Sequence, residues 1–140
     1  MTTDEKAALA ANASFYDAFA RGDFVEMDRV WADLPAVLCV HPGWGLLAGR
    51  DEVMASWRAI LRRPPLVEAR DPIVELREGM AVVVCTEVLQ EVELVATTLF
   101  VRDQGRWRML HHHSGLVARK ASDLDDDDDD DDDEPRPLMN

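Results

Sequence analysis

The segment from Leu66 to Val117 most constrains the fold, because four β-patterned runs follow one another in it. The runs are LVEARDPIVEL, MAVVVCTEVL, VELVATTLFVR and RWRMLHHHSGLV, and the short turn sequences REG, QE and DQG separate them. Parallel pairing needs a crossover of about a dozen residues or more, so strands joined by such short turns must pair antiparallel. The second half of the chain is therefore predicted to be an antiparallel meander.

Three helical segments precede this meander. Thr2 and Glu5 have capping-box spacing, and EKAALAANASFYDAFA continues with a helical period until a glycine follows. Asp23 and Glu26 repeat the spacing before FVEMDRVW, and the third helix, RDEVMASWRAILRR, ends at a Pro-Pro pair. Between the second and third helices, AVLCVH predicts a short strand leading into the glycine-rich loop PGWGLLAG. Helices followed by a sheet indicate an α+β domain with the helices on one face of a curved sheet.

The net charge of −13 belongs mostly to the last twenty residues, which hold eleven acidic side chains and one arginine. We predict one domain over residues 1–120 and a disordered acidic tail over 121–140, since a run of Asp repels itself and has nothing apolar to bury. A solvated tail is the stronger interpretation, and docking on a basic partner is the alternative. The nearly neutral remainder offers no nucleic-acid footprint and no polybasic membrane surface.

The chain carries no signal for export or for membrane insertion. The N-terminus lacks a basic start followed by an apolar run, and no apolar segment approaches the roughly 20 residues of a membrane span. Cys39 and Cys85 each lie in an apolar run, which suits reduced core residues better than a disulfide or a zinc site. We therefore expect a soluble cytoplasmic protein.

Strand alternation gives a map of the two sheet faces. A two-residue turn at Gln90-Glu91 pairs Glu87 with Leu94, and a turn at Gln104-Gly105 places Thr98 opposite His111 and Ala96 opposite His113. One face then mixes apolar with polar groups and is predicted to be the concave, helix-covered side: Val83, Cys85, Glu87, Leu94, Ala96, Thr98, Phe100, Trp107, Met109, His111 and His113. The other face is almost wholly apolar in its middle and carries His112. A slip of one residue would exchange the two sets.

Glu87 is the candidate general base, because burial among apolar neighbours would desolvate its carboxylate and suit it to proton transfer. His111 and His113 could then polarise a substrate carbonyl, an arrangement suited to an isomerase, dehydratase or cyclase. An equally good alternative is that Glu87 forms a purely structural pair with a His or Arg at the rim of the pocket, in which each partner satisfies the other. A metal site completed by His41 or Glu87 is the weaker alternative, since two histidines specify little and no zinc-protease motif or Cys-rich pair is present. We therefore predict no metal and no cofactor.

Other chemistry-bearing patterns are absent from the sequence or ambiguous. HPGWGLLAGRD matches neither the P-loop nor the dinucleotide fingerprint, and no serine lies in a nucleophile elbow. In HPGW, His41 ends a strand and Trp44 lies on a glycine-flanked loop, so these two are the preferred lid residues. For Tyr16 and the tryptophans, core packing is the stronger interpretation. The residues predicted to line a pocket are His41, Trp44, Trp31, Trp57, Thr98, Phe100 and Met109.

Four segments resemble the SnoaL-like branch of the nuclear-transport-factor-two-like superfamily. They are FYDAFARGDFVEMDRVWA, CVHPGWGLLAGRDEVMASWRAIL, CTEV and ATTLFVRDQGRWRMLHHHSG, and the resemblance covers about residues 8–117. It implies a cone-shaped barrel of three helices wrapped by a strongly bent, mainly antiparallel sheet, with an internal pocket at the wide end and dimerisation through the outer face of the sheet. The superfamily includes ketosteroid isomerases, polyketide cyclases, dehydratases and purely binding members, so the fold does not settle the function.

The resemblance also bears on single residues. Tyr16 falls near the position where isomerase relatives have an oxyanion-donating tyrosine, but no Asp occupies the strand positions that serve as their base, so Glu87 would have to substitute. Thr98 stands where related sequences lead us to expect Asn. The first functional hypothesis is a homodimeric protein that binds a small hydrophobic, carbonyl-bearing molecule and acts on it through Glu87, His111, His113 and Tyr16. The second is a non-enzymatic ligand-binding or interaction module.

Overall fold

The computed structural model describes residues 1–117, and three helices and six strands follow one another in them. The predicted domain boundary at residue 120 and the predicted acidic tail lie outside these residues. The helices are α1 (Thr3–Arg21), α2 (Phe24–Val30) and α3 (Arg50–Ile60). The strands are β1 (Leu38–Val40), β2 (Leu47–Ala48), β3 (Val67–Arg77), β4 (Met80–Leu89), β5 (Val92–Asp103) and β6 (Arg106–Leu116).

Side-chain caps start the first two helices at the predicted residues. The Thr2 hydroxyl accepts a hydrogen bond from the Glu5 amide at 3.1 Å, and the Glu5 carboxylate accepts one from the Thr2 amide at 2.8 Å. Asp23 caps α2 by accepting from the Glu26 amide at 3.0 Å. Gly22 ends α1 with φ of 64°, a left-handed conformation in which glycine has no Cβ penalty. The predicted capping box is complete at α1, and at α2 the predicted N-cap residue Asp23 is confirmed.

The six strands form one sheet in the order β2-β1-β6-β5-β4-β3. Strands β3 to β6 are the predicted antiparallel meander. β1 pairs in parallel with β6, so the sheet is mixed. β2, a two-residue strand in the HPGW loop region, was not predicted, since its pairing with β1 is fixed by the sheet edge and not by a pattern of its own.

The core lies between the helices and one face of the sheet. Glu87 pairs with Leu94 as predicted, and the inward residues of β4 and β5 alternate regularly with outward ones. The buried set on these two strands is Ala81, Val83, Cys85, Glu87, Leu94, Ala96, Thr98 and Phe100. From the helices, the largest fully buried side chains are Phe15, Met27 and Trp57. The predicted mixed face is thus the helix-covered face for both strands.

A β-bulge in β6 overturns the predicted faces of the three histidines. Phe100 pairs with Met109, but the next pair is Leu99 with His111, so Leu110 is an extra residue in the ladder. Thr98 therefore lies opposite His112. The prediction that His111 lies opposite Thr98 was wrong.

The same slip applies along the rest of β6. Ala96 lies opposite Ser114, and His113 lies opposite Thr97, so the predicted Ala96–His113 pair was also wrong. Because the side-chain period of a strand is two residues, the one-residue slip sends His112 inward and His111 and His113 outward.

The bulge lies where β6 changes its neighbour. The Met109 carbonyl accepts a hydrogen bond from the Ala32 amide at 2.8 Å, and Met109 forms an isolated bridge with Trp31. Pairing with β1 begins two residues later, at His111. The segment after α2 thus contacts β6 just before Leu110, and strand β1 pairs with β6 just after it. An alignment of β5 with β6 that starts from the turn between them contains no information about these contacts.

Arg50, the first residue of α3, binds this helix to α2. Its guanidinium donates to the Asp28 carboxylate at 2.6 Å and to the backbone carbonyls of Asp28 and Ala32 at 2.9 and 2.8 Å. A planar guanidinium can satisfy several acceptors at once in this way. These hydrogen bonds hold in place the segment that joins α2 to β1, and β1 in turn pairs with β6.

None of the helices within residues 1–117 combines the length and the apolar character needed to cross a membrane.

Candidate functional site

Glu87 lies at the centre of a buried polar group that we call the Glu87 cluster: Tyr16, Glu87, Thr98, His112 and Ser114. Only 3% of Glu87 is exposed. Its Oε2 accepts a hydrogen bond from the Tyr16 hydroxyl at 2.5 Å, and its Oε1 accepts one from the Ser114 hydroxyl at 2.6 Å. The carboxylate on β4 is therefore held from helix α1 on one side and from strand β6 on the other. Hydrogen bonds to an ionised acceptor are the short, strong kind.

Tyr16 acts in this cluster as a protonated phenol. Burial, followed by the nearby Glu87 carboxylate and Cys85, raises the pKa of Tyr16 far above its usual value. Because the single phenolic hydrogen points to Glu87, the contact of 3.3 Å between the Tyr16 oxygen and Cys85 Sγ assigns the thiol as donor. Burial also raises the pKa of Cys85, which keeps it a thiol. Tyr16 can therefore donate a hydrogen bond throughout the physiological pH range.

His112 is the histidine that faces the interior. Its Nδ1 lies 2.8 Å from the Thr98 hydroxyl, and its Nε2 lies 3.6 Å from Oε2 of Glu87. Burial lowers the pKa of His112 to about 3, so the imidazole is neutral and its approach to Glu87 is not an ion pair. If Thr98 donates to Nδ1, the proton of the neutral ring is on Nε2 and faces the carboxylate, which is the tautomer that the hydrogen-bond network favours.

His41 follows β1 and is buried, but it is not part of the Glu87 cluster. Its Nε2 lies 2.9 Å from the Ser56 hydroxyl, which itself donates to the Val53 carbonyl at 2.7 Å. Ser56 has a single hydroxyl hydrogen, so His41 Nε2 must be the donor in this pair. Burial lowers the pKa of His41 to about 4, which keeps the ring neutral. Trp44 packs edge-on against this ring at 4.8 Å between centroids.

The other predicted pocket residues divide into two groups. Trp44 is 47% exposed and covers His41 from outside, and its role as a lid stays a prediction. The remaining side chains are buried in the interior: Trp31, Trp57, Thr98, Phe100 and Met109. The Phe15 ring lies between Trp57 and the Glu87 cluster, since its centroid is 5.5 Å from that of Trp57 and 4.7 Å from that of His112.

Several polar atoms in the interior have no hydrogen-bond partner within residues 1–117. They are Oδ1 of Asn12 and the indole nitrogens of Trp31 and Trp57. These atoms are one acceptor and two donors, and buried polar groups of this kind are nearly always hydrogen-bonded in proteins. Asn12 and Ser114 were missed in the sequence. Asn12 lies one helical turn before Tyr16, and this spacing on an otherwise apolar face was the available signal.

His111 and His113 lie on the opposite, outer face of the sheet. Together with Val95, Thr97, Gly115 and Leu116 they line an open depression of about 440 Å³. Their ring centroids are 6.4 Å apart. Burial and then the neighbouring His113 lower the pKa of His111. Because the sheet separates them from Glu87, the predicted site combining these histidines with Glu87 was wrong in its geometry.

A three-ligand metal site is not formed within the part of the chain that the structure describes. No group of three or more His, Cys, Asp or Glu side chains lies close enough together to hold a metal ion in residues 1–117. The alternative in which His41 or Glu87 completes a site with His111 and His113 is therefore wrong, for the same reason of opposite faces.

Residues 8–119 match the family described as the SnoaL-like domain. The chain belongs to the SnoaL-like domain family. This confirms the resemblance drawn from the sequence motifs, and with it the cone fold of three helices on a mostly antiparallel sheet. The match spans every element from the middle of α1 to the end of β6, so it includes all members of the Glu87 cluster.

Among solved structures, this SnoaL-like domain is similar to a proposed dehydratase of the NTF2-like family from Streptomyces avermitilis. The two chains are 32% identical with a TM-score of 0.78, over 84% of this chain and 98% of the other. A proposed association domain of calcium/calmodulin-dependent protein kinase type II from Thiobacillus denitrificans is 28% identical with a TM-score of 0.66, over 78% and 94%. A proposed ketosteroid isomerase from Parabacteroides distasonis is 14% identical with a TM-score of 0.63, over 79% and 85%, and this shows the fold alone.

Among curated proteins, the F-box protein SKIP8 of Arabidopsis thaliana is 27% identical over 116 residues. The alignment covers 80% of this chain and 50% of that protein. The SnoaL-like domain thus spans about half the length of this relative.

Proposed function

We propose that this SnoaL-like domain binds a small hydrophobic carbonyl compound in its interior and acts on it by proton transfer, with Glu87 as the base. The observation that carries the proposal is the buried Glu87 carboxylate, which accepts hydrogen bonds from Tyr16 and Ser114. A desolvated carboxylate held in one orientation is suited to general-base catalysis. The similarity to a proposed dehydratase at 32% identity supports the same class of chemistry.

The surrounding groups have complementary roles in this proposal. Removal of a proton from the carbon next to a carbonyl begins isomerisation, dehydration and cyclisation alike, and it places negative charge on the carbonyl oxygen. The Tyr16 hydroxyl and the Nε2–H of His112 are donors that remain protonated and lie next to Glu87. Both hydrogens are directed at Glu87 before a substrate reacts. As Glu87 takes up the substrate proton its negative charge is lost, and either donor can be redirected to the charge that develops on the carbonyl oxygen. His111 and His113, first predicted for this role, are on the far side of the sheet, so His112 takes their place.

The test is turnover of a panel of enones, steroids and hydroxy acids by the full chain. For any compound that reacts, we expect Glu87→Gln to lower kcat/KM by about 100-fold or more, the usual contribution of general acid–base catalysis. Glu91→Gln, on the exposed turn between β4 and β5, is the matched control and should leave kcat/KM unchanged. Equal kcat/KM in the wild type and in Glu87→Gln would contradict the proposal. A folded protein that turns over no compound of the panel would favour the binding module.

A second candidate function is self-association through the outer face of the sheet. Four exposed apolar side chains lie on the outer face of the sheet or at the ends of its strands: Ile73, Val92, Val95 and Leu116. The kinase association domain at 28% identity supports an assembly role. We expect wild-type protein to sediment as a dimer and Val95→Glu to sediment as a monomer, because a buried unpaired charge opposes the contact. A monomeric wild type would contradict this candidate.

We also place the protein in the cytoplasm. The support is chemical, because Cys39 and Cys85 are buried free thiols, and unpaired thiols are usual in reducing compartments.

A further inference from the structure

His111 and His113 form a pair of imidazoles on the outer face of the sheet. The two residues are separated by one position on β6, so both imidazoles leave the same face of the sheet. No hydrogen bond within residues 1–117 involves either ring, and the rings lie edge to face with centroids 6.4 Å apart. By contrast, the rings of His41 and His112 are buried and hydrogen-bonded.

The chemistry of the pair suits a borderline transition-metal ion. Neutral imidazole is a preferred ligand of Zn²⁺, with Zn–N distances of about 2.0–2.1 Å. Both rings lie at the wall of an open depression and can turn about their side-chain bonds towards one ion.

One chain supplies only half of a closed site. Structural zinc has four ligands in a tetrahedral arrangement, and within residues 1–117 no third His, Cys, Asp or Glu joins the pair. A second molecule can supply the ligands that the described part of the chain lacks. A second copy related by a two-fold axis presents the same two histidines to the same point.

The position of the pair in the sheet favours a second copy as that molecule. β6 and β5 are the two central strands of the six, so a contact centred on the outer face includes β6, and a two-fold axis over β6 sets this strand against its own copy. The other residues of the depression are Val95, Thr97, Gly115 and Leu116, which carry no charge. An isologous contact sets a patch against itself, so an uncharged patch avoids the like-charge repulsion that a charged one would suffer.

We propose that His111 and His113 of two copies together bind one Zn²⁺ ion at the centre of a dimer formed through the outer face of the sheet. This inference rests on the second candidate function and is independent of catalysis at Glu87. The ion joins the two histidine pairs and crosslinks the copies, so it tightens the dimer.

The experiment measures zinc content and association together on the full chain without an affinity tag. Protein is dialysed against Zn²⁺, its bound zinc is counted, and its dimer dissociation constant is measured by sedimentation with Zn²⁺ and with EDTA. We expect the wild type to hold one Zn²⁺ per two chains more than the double histidine variant below, and its dissociation constant to be at least tenfold lower with Zn²⁺ than with EDTA. The variant carrying both His111→Ala and His113→Ala should lose the bound zinc and the zinc-dependent tightening. Because both residues are outside the core, circular dichroism should confirm that this variant is folded.

Two controls separate this site from other ways of binding a cation. Thr97→Val changes the same depression without removing an imidazole and should bind zinc as the wild type does. The Asp run at 125–133 is present in every variant, so cations held by those carboxylates appear equally in all of them. Co²⁺ in place of Zn²⁺ should show the visible absorption of a tetrahedral nitrogen site in the wild type and not in the double variant.

Three results would overturn the inference. Equal zinc content in the wild type and the double variant would place the metal elsewhere. One Zn²⁺ per chain with unchanged sedimentation would show that the ion does not bridge copies. A dimer in EDTA that Zn²⁺ does not tighten would refute the metal site while leaving self-association through the sheet intact.

Discussion

At the scale of single side chains, the position of His112 between Thr98 and Glu87 organises the interior. Its Nδ1 is paired with Thr98 and its Nε2 faces Glu87, so one neutral ring connects a hydroxyl to a carboxylate across two strands. Asn in place of Thr98 would bring an amide of larger volume into a position that is 1% exposed. The hydroxyl of Thr98 therefore fits the space next to the ring, as well as supplying its partner.

Replacement of Thr98 by Val removes that partner at nearly constant volume. We expect the free energy of unfolding, measured by urea titration, to fall by about 1–3 kcal/mol, because a buried ring nitrogen is left unpaired. Thr97→Val on the outer face is the matched control and should stay within about 0.5 kcal/mol of the wild type. Equal effects of the two substitutions would show that the Thr98–His112 contact does not stabilise the fold.

The two buried histidines also predict a pH dependence of stability. Burial lowers the pKa of His112 to about 3 and that of His41 to about 4, below their ordinary value of 6.5. Between pH 7.5 and 5.5 the unfolded chain takes up protons that the folded chain does not, so the free energy of unfolding falls as the pH falls. The expected loss in this window is about 1 kcal/mol per histidine, measured by urea titration. A ring of either residue that titrates near pH 6.5 by NMR would contradict this.

Arg50 gives a prediction at the scale of secondary-structure elements, since it joins the start of α3 to the end of α2. Arg50→Ala leaves the carbonyls of Asp28 and Ala32 without their donor. We expect a loss of about 1–3 kcal/mol in the free energy of unfolding. Arg63→Ala, an exposed arginine after α3, is the control and should change stability by less than about 0.5 kcal/mol. Similar losses in both variants would indicate a general effect of charge.

The elements differ in how far the sequence specifies them. Capping boxes, glycine stops and turn sequences are local, so the helices and the order of the meander could be predicted from them. The association of Tyr16 with Glu87 came from the family resemblance and not from these local signals. The register of β6 could not be predicted, because Trp31 and Ala32 contact Met109 from some 75 residues away and accompany a bulge at Leu110. That single bulge decides which histidine enters the interior. Local patterns carry no signal for such a distant contact.

At the scale of the whole molecule, the distribution of charge predicts that the stability of the domain does not depend on the last twenty residues. Removing residues 121–140 changes the net charge by about ten units without removing any apolar segment predicted for the core. Since the Debye length is about 8 Å at 0.15 M salt, we expect the free energy of unfolding to change by less than about 0.5 kcal/mol. Thermal unfolding of both chain lengths checks this. A shift of several degrees would mean that these residues contact the domain.

The parallel pairing of β1 with β6 has a consequence for synthesis on the ribosome. Residues 38–40 find their partner strand only at residues 111–113, so the central strand arrives after nearly all of the domain has been made. Until then β1 and the outer edge of β5 expose unpaired backbone groups. Pairing over such long sequence separations also slows folding. The domain is therefore expected to complete its fold only after release of its last strand from the exit tunnel, and the nascent chain depends on protection until that point.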